Sequence, residues 1–336
     1  MCPLNPNQFI KKLYMTDNEI HVAFQSLWND ITQGETFPKK RPLLAHYTSI
    51  STLESIMRND EIWFSNPLNM NDIDELKFGM LEGARAFRES AEIKNACPTP
   101  DSYKLLRDTF DAMFHRYDTE HVFNTYIFSL SEHKPENKDG LLSMWRGYGG
   151  NGHGAAIVFD SKKIEHVEGT VPLIISKVSY APNVKRSAWI EGKMAEFAAL
   201  IRTNPVPPEK LYIPINQLFE RIKIFALFSK HDGFSEEAEW RIAFLKERDI
   251  NHKFDSMFSY AIGRNGIEPK LKLKIAPIEG YTSLDLSLGK IVHQIILGPM
   301  MASPLAVNSV QRMFQAVGKS ALSDRVIAST TPYRPQ

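Results

Sequence analysis

The chain has 336 residues, of which 43% are hydrophobic and 24% are charged, and its formal net charge is +1. This composition is typical of a soluble globular protein and excludes an intrinsically disordered chain. The nearly neutral charge also argues against a global basic field for nucleic acid or an anionic membrane, while leaving a local basic patch open.

The cysteine content and the N-terminus indicate the cellular compartment. Cys2 and Cys97 are too few for a disulfide framework or a cysteine zinc site. The first residues, MCPLNPNQFIKKLY, contain two prolines where a signal peptide needs an apolar stretch. Apolar runs such as 224–228 are far shorter than the roughly 20 residues of a membrane span. The sequence therefore predicts a cytoplasmic protein that does not enter a membrane.

The N-terminal half has apolar patterns of both helical and strand type. Residues 1–42 are expected to form a helical extension that ends near Gly34 and Pro38. A short helix is expected to begin at Ser49 or Ser51, which are good N-cap residues. The predicted strands here are 43–47, 62–65 and 122–130, and the longer helices are 73–95 and 101–118.

The C-terminal half continues this mixture. The predicted strands are 155–159, 173–180, 239–245, 271–275 and 291–297, and the helices are 141–148, 186–202, 208–229 and 303–316. Because strands and helices do not alternate regularly, we predict an α+β fold of mixed or antiparallel sheets with flanking helices. We expect one domain at 43–318, between the helical extension 1–42 and a C-terminal tail at 319–336.

Polar clusters stand at the ends of several predicted strands, where a rigid scaffold can present functional side chains. The first cluster is His46-Tyr47-Thr48; its structural alternative is a core histidine followed by helix-capping residues. The second cluster is 66–75. Its structural alternative is a helix start, in which Asn71 or Asp72 caps the following helix and Glu75 closes a capping box.

The third cluster combines a strand and a helical turn. Ser129 and Ser131 are two residues apart on a strand and so share one face. Trp145 and Tyr148 are three apart on a helical turn, which suits core packing or stacking on a ligand ring. The glycine-rich stretch 147–154 precedes a strand, so it fails the context of a dinucleotide fingerprint and suits a flexible hairpin loop.

The fourth cluster places Glu237, Glu239 and Arg241 on one face of a predicted strand. Because buried charges are costly unless they are paired, this face is either a functional site or a structural Glu239–Arg241 salt bridge. No sequence motif for a metal site is present, and we expect no zinc at the scattered histidines His115, His121, His133, His153 and His231.

These clusters, in this order, resemble the bacterial family DUF2971, a domain of unknown function. The resemblance covers about residues 43–316 and departs from the family pattern at Ile73, where proline is expected. The matching landmarks are His46-Tyr47-Thr48, the Trp63 strand, Asn71-Asp72 with Glu75, Ser129 to Glu132, Trp145 with Tyr148 leading to Gly154 and its strand, Glu237 with Glu239 and Arg241, and Ile295 to Pro299.

A strand-end histidine, then Ser-x-Ser, then Glu-x-Glu also resembles the motif order of ADP-ribosyltransferases. This resemblance implies a split sheet, NAD as the substrate and no metal. Breaking the nicotinamide–ribose bond develops oxocarbenium charge, as in glycoside hydrolysis. By the resemblance, Glu239 stabilises that charge, Glu237 orients the acceptor of ADP-ribose and His46 holds the adenosine ribose. The further implied nucleotide contacts are Tyr47, Thr48, Ser129, Ser131, Trp145, Tyr148 and Arg241.

The implied function is an ADP-ribosyltransferase, or an NAD glycohydrolase with water as acceptor, acting as a toxin or anti-phage effector. A protein or nucleic-acid acceptor and a regulatory or antitoxin partner would accompany it. One alternative is a non-catalytic regulatory module that binds a nucleotide or peptide; a bidentate Glu239–Arg241 pair would favour it. The other is an enzyme acting on RNA or DNA, with Lys39, Lys40 and Arg41 as a basic patch.

Overall fold

The computed structural model describes residues 15–31, 36–70, 73–165, 172–263 and 266–333. In chain order its helices are α1 (Asp17–Phe24), α2 (Ile50–Asn59), α3 (Ile73–Glu89), α4 (Ala91–Ala96), α5 (Pro100–Arg116), α6 (Leu142–Gly147), α7 (Asn183–Thr203), α8 (Tyr212–Phe228), α9 (Leu288–Ile291) and α10 (Pro304–Ala316). Its strands are β1 (Leu43–Thr48), β2 (Glu61–Ser65), β3 (Thr125–His133), β4 (Ala155–Asp160), β5 (Leu173–Lys177), β6 (Ser179–Tyr180), β7 (Ser229–Lys230), β8 (Glu239–Leu245), β9 (Phe258–Gly263), β10 (Gly266–Lys274), β11 (Val292–Leu297) and β12 (Val326–Ala328).

The described residues group into two compact units, each assembled from separated segments. The helical unit lies within Met1–Thr32, Asp72–Glu120 and Ala181–His231, and the sheet unit lies within Gln33–Asn71, His121–Tyr180 and Asp232–Gln336. The structure thus groups the chain differently from the predicted boundaries 1–42, 43–318 and 319–336. Sequence order alone does not show that α1 packs with α7 and α8, far along the chain.

The helical unit contains α1, α3, α4, α5, α7 and α8. A capping box fixes the start of α1, since Thr16 Oγ1 accepts from the Glu19 amide and Glu19 Oε2 accepts from the Thr16 amide at 2.8 Å. The α3 and α8 backbones approach closely at Gly79, where a Cβ would lie 2.6 Å from Ala226 Cβ. In α3, Glu75 forms an ion pair with Arg186 of α7 at 2.5 Å.

The sheet unit is built on one large sheet, in which hydrogen-bonded neighbours follow the path β12-β11-β4-β1-β3-β2-β10-β9, while β8 pairs with β3 and β5 pairs with β8 outside this path. Its pairs are antiparallel except β11–β12, which is parallel. Buried apolar residues of α10, Val310 and Phe314, share a core with Ile295 and Leu297 of β11. The predicted α+β class, with a mostly antiparallel mixed sheet, flanking helices and an N-terminal helix, is confirmed.

The sheet divides along one edge of β3. Ser131 pairs with both Ala45 of β1 and Glu239 of β8, so β1 and β8 occupy opposite edges of β3. Ile127 pairs with both Ser65 of β2 and Ala243 of β8, which places β2 on the same edge as β1. Pairing between β1 and β3 ends at Ala45, and a gap therefore opens between β1 and β2.

Several predicted boundaries differ from the structure for local reasons. The predicted helix 73–95 is interrupted at Ser90, whose side chain caps α4. β3 begins at Thr125 because Val122–Asn124 form a 3₁₀ turn. Two strands have no counterpart among the predicted elements: β9, whose Tyr260 and Ile262 are exposed, and β12, which lies in the predicted tail but pairs with β11.

Candidate functional site

The side chain of His46 lies in the gap between β1 and β2. Ala45 is the last residue of β1 that pairs with β3, and His46 follows it. At His46 the backbone no longer pairs with β3, and the side chain makes the contact instead. Its Nδ1 atom lies 3.1 Å from the carbonyl oxygen of Ser129 in β3. The histidine thus satisfies a backbone carbonyl at the place where the strands diverge.

This contact shows which ring nitrogen of His46 carries a proton, and burial of the ring sets its charge. A carbonyl oxygen only accepts hydrogen bonds, so Nδ1 carries the proton and donates it to Ser129. Burial of the imidazole lowers the pKa of His46 to about 4, against a smaller opposing effect of the Ser129 hydrogen bond. The ring is therefore neutral at pH 7, and Nε2 is a hydrogen-bond acceptor. Within the described part of the chain, Nε2 has no hydrogen-bond partner.

His46 forms part of the wall of a cavity of about 250 Å³. Its ring packs on that of Phe128, with the two centroids 4.4 Å apart. The cavity is mainly apolar with hydroxyl groups on the α2 side, and its lining residues are His46, Ser51, Thr52, Ser55, Ile56, Trp63 and Phe128. An apolar cavity with a few converging polar groups is typical of a small-molecule site.

The first turn of α2 explains the position of these hydroxyl groups. Ser49 is the N-cap, and its Oγ accepts a hydrogen bond from the Thr52 amide at 3.1 Å, which confirms the predicted start of this helix. Leu53, Ile56 and Met57 are buried as the helical spacing predicts. Ser51 and Ser55 are four residues apart and so lie on one side of the helix, which borders the cavity.

The predicted residues of a single site lie on two faces of the sheet. Ala45, Ser131 and Glu239 are directly opposite one another across β1, β3 and β8, and directly opposed residues share a face. Successive residues of a strand alternate between faces. His46 therefore points to the face opposite that of Glu239. The structure does not bring the expected ribose-binding histidine and the expected catalytic acid together.

Glu239 forms a buried bidentate ion pair with Arg241. Arg241 Nε donates to Glu239 Oε1 at 2.7 Å, and Arg241 Nη2 donates to Oε2 at 3.0 Å. Glu239 is 4% exposed and Arg241 is 2% exposed. Both carboxylate oxygens are thus engaged, which is the geometry that favours the binding module over the catalytic alternative.

Glu237 lies in the 3₁₀ segment Asp232–Glu237, outside β8. Ala238, with a φ of +44°, turns the chain between Glu237 and Glu239, so the two acids do not share a strand face as the sequence predicts. Tyr148 is exposed, and its hydroxyl donates to Glu237 Oε1 at 3.2 Å. Ser131 Oγ donates to the Glu237 carbonyl oxygen at 2.5 Å.

Ser129 and Thr48 are placed differently from Ser131. Ser129 lies directly opposite Arg241, and its buried Oγ has no hydrogen-bond partner among the residues that the structure describes. Thr48 ends β1 opposite Ala155 and is 8% exposed. Thr48 does not line the His46 cavity. It is also not the N-cap of α2, because Ser49 occupies that position.

Tyr47 and Trp145 pack against each other in a core on the Glu239 face. Their rings are edge to face, with centroids 4.8 Å apart. The Tyr47 hydroxyl accepts from the Leu141 amide at 2.8 Å, and Trp145 Nε1 donates to the Asp139 carbonyl at 2.8 Å. Burial raises the pKa of Tyr47 to about 12. Stacking on a ligand needs an open ring face, and Trp145 is 0% exposed.

The glycine-rich stretch is a tightly packed turn rather than the expected flexible hairpin loop. A Cβ at Gly154 would lie 2.1 Å from the Thr48 carbonyl oxygen and 2.7 Å from the Gly149 carbonyl oxygen. A real Cβ atom does not come this close to an oxygen atom. The absence of a side chain at Gly154 therefore permits the close approach of the turn to the end of β1. Gly149 and Gly154 thus serve packing, whereas a Cβ at Gly147 or Gly150 would meet nothing within 4 Å.

Other parts of the described chain bear on the remaining predictions. Asn71 and Asp72, expected as caps, lie outside the described residues. Arg41 of the expected basic patch donates to the backbone carbonyls of Pro38 and Ile164, each at 2.8 Å. In the ranges that the structure covers, no group of three His, Cys, Asp or Glu side chains is placed to hold a metal ion. No helix in those ranges is long and apolar enough to span a membrane.

Most of the residues that line the cavity were not among the predicted site residues. Ser51 was considered only as a helix cap, and Thr52, Ser55, Ile56 and Phe128 were not considered as site residues. The available signal was the hydroxyl spacing of Ser51 and Ser55 on α2. That signal is weak, because serine at the start of a helix is common for reasons of capping alone.

Comparisons with curated proteins and with solved structures found no match to the chain. Comparison with family models found a match that includes Trp145, Tyr148 and Glu239 but not His46. Residues 144–242 match the model of the family described as "Protein of unknown function (DUF2971)", and this match supports the resemblance that the motifs indicate.

Proposed function

We propose that the sheet unit is a non-catalytic binding module whose His46 cavity takes the adenosine part of NAD or another adenine nucleotide. The observation that supports this most strongly is the neutral imidazole at the cavity wall, held by the Ser129 carbonyl with Nε2 left as an acceptor. A neutral acceptor in an apolar cavity suits an uncharged donor such as a ribose hydroxyl or a base amino group.

The other lining residues suit the remaining parts of a nucleoside. Phe128, Ile56 and Trp63 provide apolar surface, and an aromatic ring can pack on a base by its face. The hydroxyls of Ser51, Thr52 and Ser55 can donate or accept, which suits the mixed donors and acceptors of a sugar. A cavity of about 250 Å³ lies just below the range of about 300–1,000 Å³ usual for drug-sized ligands.

A peptide is the less favoured ligand of this cavity. Peptides are recognised along extended grooves, sheet edges or helix-binding channels, in which several residues of the ligand are held in series. The His46 cavity is a single compact space bordered by one helix and strands of the sheet. Its shape supports one small molecule or one end of a larger one.

ADP-ribosyl transfer and NAD hydrolysis stay predictions, as do a toxin or anti-phage role and a cytoplasmic location. The chemistry requires a carboxylate at the nicotinamide ribose. Glu239 is paired with Arg241 and faces away from His46, which is why we place binding ahead of catalysis. Nicotinamide release from NAD, lost in Glu239→Gln, would reverse that order.

The test of the binding proposal is calorimetric titration of adenosine, AMP and NAD into the wild-type protein and a cavity-filling variant. Ser55→Leu places a larger apolar side chain in the cavity and leaves the His46–Ser129 contact in place. Ser309→Leu makes the same change on α10, away from the cavity, and serves as the control. We expect saturable binding to the wild type and the control and none to Ser55→Leu. Absence of binding by the wild type, or equal binding by all three proteins, would refute the proposal.

A further inference from the structure

We propose that Lys272 binds a phosphate group of the ligand beside the His46 cavity, so that the site selects a phosphorylated nucleoside over a free one. This inference rests on the proposed nucleotide-binding function and specifies its ligand class. It arises from the position of one lysine among three that share a strand face.

Lys270, Lys272 and Lys274 alternate along β10 and therefore point to the same face of the sheet. Lys270 Nζ lies 3.0 Å from Glu268 Oε2 and donates to Ser65 Oγ at 2.8 Å. Lys274 Nζ lies 3.2 Å from Glu61 Oε2. The two outer lysines thus each have a carboxylate beside them.

Lys272 differs from its neighbours. It lies directly opposite Trp63 of β2, and its Nζ atom lies 4.2 Å from the centroid of the indole ring. Across the portion of the chain that the structure describes, Lys272 has no ion pair with an acidic side chain. The aromatic face attracts and positions the ammonium group without neutralising its charge.

Trp63 contacts both the Lys272 ammonium and the cavity. The indole is a wall of the cavity, and it is also the ring beneath the Lys272 ammonium. Trp63 itself is 36% exposed and its Nε1 donates to Glu61 Oε1 at 3.0 Å, which holds the ring in this position. The Lys272 ammonium therefore lies over a ring that borders the cavity, and in this proposal a phosphate attached to the bound nucleoside extends past Trp63 to reach it.

Phosphate is the anion that fits this arrangement. Lysine binds phosphate as a compact point charge with three donors, and charge-assisted hydrogen bonds are roughly twice as strong as neutral ones. The neutral His46 and the hydroxyls of α2 offer nothing that requires a charged ligand. Discrimination between a nucleoside and its phosphate thus depends on Lys272.

The experiment compares adenosine, AMP and inorganic phosphate as ligands of the wild type, Lys272→Gln and Lys274→Gln. Lys274→Gln removes the same charge from the same strand face, two residues away, and is the matched control. In the wild type and the control we expect AMP to bind about tenfold more tightly than adenosine, which corresponds to about 1.4 kcal/mol. In Lys272→Gln we expect AMP to weaken to the level of adenosine, with adenosine itself unchanged.

The outcomes separate this inference from the function on which it rests. Equal affinities of the wild type for AMP and adenosine, or equal losses in the two lysine variants, would overturn the role of Lys272 alone. A wild type that binds neither ligand would overturn the binding proposal and this inference together. Inorganic phosphate that binds as tightly as AMP would also overturn it, because the charge alone would then account for binding.

Discussion

The buried neutral state of His46 makes the stability of the protein depend on pH in a specific window. Burial lowers the pKa of His46 from 6.5 to about 4. Between these values the unfolded chain binds a proton that the folded protein excludes, so the free energy of unfolding falls as the pH falls through this window. At about 1.4 kcal/mol for each pKa unit, this loss amounts to at most about 3 kcal/mol. His46 retains some exposure, which makes this an upper limit.

The variant His46→Asn isolates this contribution. Asparagine retains an N–H donor near the position of Nδ1, so the hydrogen bond to the Ser129 carbonyl can form, but the side chain does not titrate. The measurement is urea unfolding of both proteins at several pH values between 4 and 7. We expect the wild type to lose more stability than the variant on acidification. His133, whose pKa burial also lowers, is present in both proteins and cancels in the difference. Parallel pH profiles would refute the buried neutral state of His46.

Three further predictions concern the scaffold. A double-mutant cycle with Glu239→Gln and Arg241→Gln should give a coupling free energy of about 3 kcal/mol, since breaking a buried ion pair strands a charge; a value near zero would contradict a structural pair. Gly154→Ala should destabilise by about 3 kcal/mol in urea unfolding, because its Cβ would meet backbone oxygens, whereas Gly147→Ala, with open space around it, should not. Ser49→Ala should cost about 1 kcal/mol in the same assay through loss of the α2 cap, and an unchanged midpoint would argue against that cap.

Much of the fold could be predicted from the sequence because local patterns decide it. The apolar spacing of Leu53, Ile56 and Met57 predicts the buried side of α2, and its start is predicted at Ser49 or Ser51, of which Ser49 is the N-cap. The strand 239–245 was predicted with the bounds that β8 has. β9 was missed because its apolar residues are exposed at the edge of the sheet, where burial does not impose a pattern.

The site could not be predicted to the same extent, because it depends on how strands far apart in the chain are aligned. The pairing of Ser131 with both Ala45 and Glu239 sets which side chains share a face. A one-residue change in register would exchange the faces, and no motif in the sequence specifies that register. The gap that accommodates His46 arises because β1 and β2 use the same edge of β3, which is a property of the whole sheet.

The most direct test of the central claim is nitrogen NMR of the histidine rings at pH 7, with His46→Asn used to assign the His46 signals. We predict a neutral His46 that carries its proton on Nδ1, and an Nε2 resonance that moves when AMP is added. An unchanged Nε2 resonance at saturating AMP, or a proton on Nε2, would contradict the assignment of this cavity as the nucleotide site.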